Sequence, residues 1–132
     1  MTARDLDDLS GGLPKNFIRP CLLLLVGEES SHGYDLLERL RDMGLKRIDP
    51  GGLYRALRTM EQEGLLESSW EASDLGPPRR TYRLTDEGRD WMHAWAATLR
   101  EGRRVIGNYL SRYDALDDVA VDERRGRAGR PR

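Results

Sequence analysis

Residues 49–58 read DPGGLYRALR, and the chemistry they offer is anion recognition. Asp49 and Pro50 suit the cap and first position of a helix. Gly51 and Gly52 keep that helix start clear of bulk, so its free backbone N–H groups and positive dipole end lie open to a large anion. Leu53, Leu57 and Met60 then recur at three- and four-residue steps and form an apolar face, with Arg55 and Arg58 off it. Two guanidiniums a turn apart can grip phosphates or take a guanine edge. A second basic group, Arg79, Arg80 and Arg83, follows a turn-rich connector.

Other reactive side chains form no set. Cys21 lies in an apolar run, where a thiol is inert. His32 and His93 lack a cluster of Cys, His or carboxylates at ligand spacing, so no metal site is expected. Ser30-Ser31-His32 reads as a local cap and turn, and Gly51-Gly52 lacks the lysine and spacing of a phosphate-binding loop. No catalytic set and no cofactor site are expected.

The elements that must hold these residues are compatible with one ordinary domain and an appendage, since the chain has 132 residues. Hydrophobic residues make up 38% and charged ones 34%, which describes a small core under a heavily charged surface. Net charge is -1, so the distribution of arginines, rather than bulk charge, points to a polyanion. No apolar run approaches the ~20 residues that span a bilayer. The start, MTARDLDDLSGG, lacks the basic-then-apolar layout of a secretory signal, and a single cysteine allows no intramolecular disulfide. A cytoplasmic protein is expected, with no membrane association and nucleoid-associated when bound to DNA.

Along the chain, residues 1–15 read as a flexible arm rich in Gly, Ser and Asp. A buried helix is predicted over about 16–27 and a second from near Gly33, capped by Ser30 or Ser31, with Tyr34, Leu37, Leu40 and Met43 inward and Gly44 as its stop. The third runs from Asp49 to Gly64. Leu66–Glu71 and Arg80–Thr85 read as strands joined by ASDLGPP, a β-hairpin. Thr85 caps a long helix over 86–115, and residues 116–132 read as a disordered Arg-rich tail. Three helices followed by a hairpin is the order of a winged helix-turn-helix: mainly α with a small β-hairpin, spanning 16–85, its third helix placed for a major groove. Tyr34 has two readings, core edge or phosphate contact.

These residues also resemble the PadR family of bacterial transcriptional regulators. The resemblance rests on His32-Gly33-Tyr34-Asp35-Leu36, Gly52-Leu53-Tyr54-Arg55-Ala56-Leu57, Glu63-Gly64-Leu65 and Arg80-Thr81-Tyr82-Arg83-Leu84-Thr85-Asp86-Glu87-Gly88, in order across about 30–88. The chain departs from the family at Asp49-Pro50, where serine or threonine more often precedes the glycine, and at Arg55, where proline usually follows the tyrosine. The expected DNA contacts are Tyr34, Pro50, Gly51, Gly52, Tyr54, Arg55, Arg58, Arg79, Arg80 and Arg83.

On the last helix, Met92, Trp95, Leu99, Gly102, Ile106, Tyr109 and Tyr113 step by three and four, a heptad seam expected to form a homodimer. Trp91 and Val105 widen it, and Gly102 marks either a close helix crossing or an ordinary surface position. The resemblance implies the short family form with one dimerisation helix, some of whose members take flat drug-like molecules at aromatic residues of that helix. Trp91 and Trp95 are the matching residues here, for packing or for a small apolar or aromatic effector. The expected function is a homodimeric regulator, by family habit a repressor, of an inverted-repeat operator in duplex DNA. The alternative is a winged-helix protein-interaction module with DNA binding secondary or lost. The tail ERRGRAGRPR is either a minor-groove arm or a solvating segment.

Overall fold

A computed structural model describes residue 13 and residues 16–128, and beyond Leu116 the helical backbone only. The elements run α1 (Ile18–Glu28), β1 (Ser31–His32), α2 (Gly33–Met43), α3 (Pro50–Gln62), β2 (Leu66–Glu71), β3 (Arg79–Leu84) and α4 (Asp86–Ala128). They divide into two compact units, Met1–Trp95 and Ala96–Arg132. The first is the expected winged helix: three helices and a small antiparallel sheet ordered β1-β3-β2. Apart from residue 13, the arm expected over 1–15 lies outside the described residues, as do residues 129–132 of the tail.

The core forms because each short helix has one apolar face and the faces converge. Leu22 and Leu23 of α1, Leu36 and Leu40 of α2, and Leu53, Leu57 and Met60 of α3 are all buried, and Leu66 and Tyr82 bring in the sheet. Pro20 fits in α1 because it stands in the first turn, where its missing N–H would have no intrahelical partner. At the other end of α1, Arg39 donates from Nη2 to the Leu25 carbonyl at 2.9 Å and from Nη1 to Ser31 Oγ at 2.5 Å. One guanidinium thus satisfies an end carbonyl of α1 and fastens β1 to α2.

The beginning of α2 differs from the sequence expectation. Ser31 is a buried strand residue paired with Tyr82, and His32, paired with Thr81, is the extended N-cap residue with no side-chain cap. Neither serine caps the helix. Tyr34 is 66% exposed and Met43 44%, so both leave the predicted inward stripe and Leu36 takes its place. Gly33 accounts for the rotation. It is buried against α3, and a Cβ there would lie 2.6 Å from Tyr54 Cε1. With Gly33 turned inward, 100° steps carry Tyr34 out to solvent. Gly44 ends α2 in the left-handed region at φ 118°, as a C-terminal glycine does.

β2 and β3 pair in full register, from Leu66 opposite Leu84 to Glu71 opposite Arg79. Immediately after β3, Thr85 makes the junction to α4. Its backbone N–H donates to the Leu65 carbonyl at 3.2 Å, and its hydroxyl donates to Gly64 O at 2.6 Å and caps α4 by accepting from the Gly88 N–H at 2.9 Å. The backbone of α4 then continues to Ala128. That exceeds the boundary expected at 115, so the disordered tail expected from 116 is not what the described backbone shows. Extending an existing helix adds one hydrogen bond per residue without a new nucleation step, and the ensuing Asp, Ala, Val, Glu and Arg residues permit it.

Gly88 has no room for a side chain, because a Cβ would lie 2.0 Å from the Leu65 carbonyl oxygen, a backbone atom that cannot rotate away. Gly88→Ala should therefore destabilise the protein by about 1–3 kcal/mol or more, as overpacking of a close contact does. Chemical denaturation would read this loss, and an unchanged midpoint would mean that α4 does not dock on Leu65 in solution.

Candidate nucleic-acid interface

The candidate interface begins with the N-terminal turn of α3. Asp49 is extended and its carboxylate accepts from the Gly52 N–H at 2.6 Å, with Pro50 following as the first helical residue. This is the cap expected from the sequence. It also supplies a reason for Gly52 other than room for a ligand, since a Cβ there would lie 2.9 Å from Asp49 Oδ1. Gly51 is exposed, and the nearest side-chain group to its absent Cβ is the Arg55 guanidinium at 3.3 Å. Arg55 therefore folds back along the helix start and adds its charge to the dipole end there.

Burial of Leu53, Leu57 and Met60, each 0% exposed, turns Tyr54, Arg55 and Arg58 to solvent. Among the described residues, neither Arg55 nor Arg58 has a carboxylate within ion-pair distance. Beside this face, Tyr34, Tyr54, Tyr82, Arg79, Arg80 and His32 line an open cleft of about 510 Å³. The floor is Tyr82, whose hydroxyl is pushed above its ordinary pKa by burial, against the opposing pull of Arg80. It stays a neutral phenol and a hydrogen-bond donor.

The remaining expected residues separate. Arg83 does not line the cleft; it follows inward-facing Tyr82 and lies 3.6 Å from Glu67, its cross-strand neighbour. Arg80 is tied to Ser68, Glu61 and Trp70. His32 is a participant that sequence reasoning placed in a mere turn. Its Nε2 lies 3.0 Å from Glu71 Oε2 and its Nδ1 3.4 Å from Asp35 Oδ2. The spacing of three to Asp35 was visible in the sequence, whereas the approach to Glu71 depends on sheet pairing. Hydrogen bonds from Thr81, first, and from His32 hold the Glu71 carboxyl below the usual range, so it stays an anion beside His32.

On α4, Met92 and Trp95 are partly buried against the winged-domain core, with the Met92 sulfur 2.9 Å from where a Cβ on Gly27 would be. These two members of the predicted seam are thus already in contact within the first unit. In the second unit, Ile106, Tyr109 and Tyr113 are half or more exposed, as are Val105, Leu110 and Leu116 within a few per cent, and the Tyr109 and Tyr113 rings stack at 6.4 Å. Trp91, half exposed, lines a cleft of about 300 Å³ with Trp95, Leu23, Leu65, Arg19, Glu63 and Glu87. Cys21 is buried and its thiol is pushed up to about 11, which leaves it an inert packing group. Among the described residues, no group of three or more His, Cys, Asp or Glu side chains is placed to hold a metal ion.

Known proteins place this arrangement. The sequence profile of the transcriptional regulator PadR-like family matches residues 22–94, from α1 through the first part of α4. The chain belongs to the PadR-like family of transcriptional regulators. It is 36% identical over 89 residues to the transcriptional regulator Rv3488 of Mycobacterium tuberculosis, covering 67% of this chain and 75% of that one. A PadR-like transcriptional regulator from Bacillus cereus has a similar structure, with a TM-score of 0.67, 29% identity, and coverage of 73% of this chain and 93% of that one. PadR of Bacillus subtilis, solved in complex with operator DNA, shares the fold at a TM-score of 0.57 and 20% identity, over 63% of this chain and 48% of that one. The PadR-like match includes α3 and the wing, which carry Arg55, Arg58, Arg79 and Arg80. No helix among the described residues is long and apolar enough to cross a membrane.

The cap makes a prediction whose sign depends on background. Asp49→Ala should cost about 1 kcal/mol, the usual value of an N-cap. Gly52→Ala should destabilise the parent chain by crowding the Asp49 carboxylate, yet stabilise the Asp49→Ala variant by up to ~1 kcal/mol, since alanine is the better helix former. Denaturation midpoints of the four proteins test this, and a Gly52→Ala effect of the same sign in both backgrounds would contradict the cap.

Proposed function

We propose that this chain is a homodimeric regulator, a repressor, that reads an inverted-repeat operator in duplex DNA through the outer face of α3. The observation that carries the proposal is the pair Arg55 and Arg58, exposed on the first turns of α3 and without ion-pair partners among the described residues. A protein that left such charges unpaired for no purpose would lose little by pairing them; a polyanion requires them free. Arg58 reads a base edge, while Pro50, Gly51 and Gly52 let the backbone of the first turn come close to phosphate, with Gly51 supplying the N–H there, since Pro50 has none and that of Gly52 is held by Asp49. Tyr34, Tyr54 and Arg79 reach the flanking backbone from the cleft. PadR of Bacillus subtilis, which shares the fold, was solved in complex with operator DNA, in keeping with duplex DNA as the partner.

The second unit supplies the dimer. Val105, Ile106, Tyr109, Leu110, Tyr113 and Leu116 expose apolar surface on a helix with nothing of its own chain described against it, and a second copy covers it. Leu99 and Gly102 are half-buried and begin this seam. Two copies set two α3 helices toward successive major grooves, which is what an inverted repeat requires. The cleft at Trp91 and Trp95 favours a small aromatic effector, since it offers indole faces close to the start of α4. The protein works in the cytoplasm, on the nucleoid.

Titration against the DNA upstream of its own coding region, at several salt concentrations, tests the reading. Log affinity should fall linearly with log salt, with a slope of about -0.9 per phosphate neutralised. Arg58→Ala should lose about 1–3 kcal/mol on the preferred sequence and little on unrelated duplexes. Salt-insensitive or absent binding would contradict the function, and an unchanged preference would remove Arg58 from base readout. For assembly, Tyr109→Asp with Tyr113→Asp should yield a monomer by sedimentation, and a variant that still dimerises would move the interface off this helix.

A further inference from the structure

The wing arginine that looks best placed for phosphate is the one least free to reach it. Arg80 Nε donates to Ser68 Oγ at 2.8 Å, and that hydroxyl donates onward to Glu61 Oε1. Arg80 Nη2 lies 3.8 Å from Glu61 Oε2, and its guanidinium carbon sits 5.4 Å from the centre of the Trp70 ring. Trp70 is the residue directly opposite Arg80 across the β2–β3 pairing, and Glu61 belongs to the last turn of α3. One side chain therefore joins three elements: β3 that carries it, β2 through Ser68 and Trp70, and α3 through Glu61.

We propose that Arg80 is a positioning residue that fixes the wing relative to α3, and that Arg79, its neighbour on the other face of β3, is the wing cation that meets DNA. The proposal rests on the DNA-binding function proposed above. A guanidinium has a planar fork of donors and a flat face, and here both the fork and the face are used by the protein. Withdrawing it toward a phosphate would break the Ser68 bond, lose the contact with the Trp70 ring and leave the Glu61 carboxylate without its cation. Glu61 is the more enclosed end of this brace, 29% exposed against 47% for Arg80. Arg79 acts electrostatically on Glu71, which is opposite it at the strand end.

The two roles predict opposite signs for one substitution. If Arg80 contacts phosphate, Glu61→Ala removes a competing anion beside the DNA and strengthens binding. If Arg80 is a brace, Glu61→Ala frees the wing and weakens operator binding several-fold despite removing a negative charge. Operator affinity of the full-length chain would be measured over a range of salt for wild type, Glu61→Ala, Arg80→Ala, Arg80→Lys and the double alanine variant. The expected result is a loss for Glu61→Ala, a similar loss for Arg80→Ala and Arg80→Lys with the salt slope unchanged, and a double variant no worse than either single one. Rescue by lysine, a slope made shallower by about 0.9 in Arg80→Ala, or tighter binding by Glu61→Ala would overturn the brace and leave the DNA-binding function standing. Absence of duplex binding by the wild type would overturn both. If either Glu61→Ala or Arg80→Ala unfolds, Ser68→Ala, which removes only the relay hydroxyl, carries the same expectation of weaker binding at constant slope.

Discussion

Burial of one face of α3 governs this molecule. Leu53, Leu57 and Met60 have no solvent exposure, and each packs among leucines of α1 and α2. With three residues fixed inward at helical spacing, the rotation of α3 has no freedom left, and Tyr54, Arg55 and Arg58 must point outward. Exposed charge at these positions is therefore set by apolar packing on the other side of the helix. A change in the core that rotated α3 by one residue would turn the arginines away from any duplex, so the stability of the core and the proposed specificity of the surface are one property. Removing a buried leucine costs several kcal/mol by cavity formation, which places core substitutions among the most damaging to the proposed function although they touch no DNA.

Around that helix, the smaller contacts maintain direction rather than supply bulk stability. Asp49 closes the start of α3, Arg39 fastens the end of α1 to β1 and α2, and Thr85 anchors the start of α4 on the Leu65 carbonyl. Each adds a hydrogen bond to backbone groups next to a helix end. The glycines at 27, 33, 52 and 88 mark tight points of this framework, because in each case a Cβ would come within 3 Å of another group. Gly33 lets α2 cross Tyr54, Gly52 makes room for its own helix cap, and Gly88 lets α4 approach the chain at Leu65. Read from sequence, Gly52 pointed to a ligand; in the structure it has a local steric cause as well.

Much of the fold was legible because its periods are strong. The leucine spacing of α3, the Asp49-Pro50 start, the alternation that buries Tyr82 and the Thr85 cap are local signals that a short window contains in full. What escaped reading was non-local or very short. The strand Ser31–His32 has two residues, too few for a period, and exists only because Tyr82 and Thr81 pair with it. The outward turn of Tyr34 follows from Gly33 meeting Tyr54, a contact across two helices. Met92 and Trp95 continue a heptad in the sequence, yet the winged domain claims them first. For the candidate interface, residue types were visible and their commitments were not. Arg55, Arg58, Arg80 and Arg83 are alike in sequence, and only the structure separates those on the open face from those with partners in the wing.

Two α3 helices of one dimer entering successive major grooves is the central proposal for this molecule. Hydroxyl-radical footprinting of the upstream DNA, with the full-length chain at concentrations just above saturation, addresses both parts at once. Two protected patches related by two-fold symmetry, with centres one helical turn apart at about 10 base pairs or a multiple of it, are the result expected. A single unsymmetric patch would contradict the dimeric reading, and uniform protection without a boundary would contradict sequence recognition by α3.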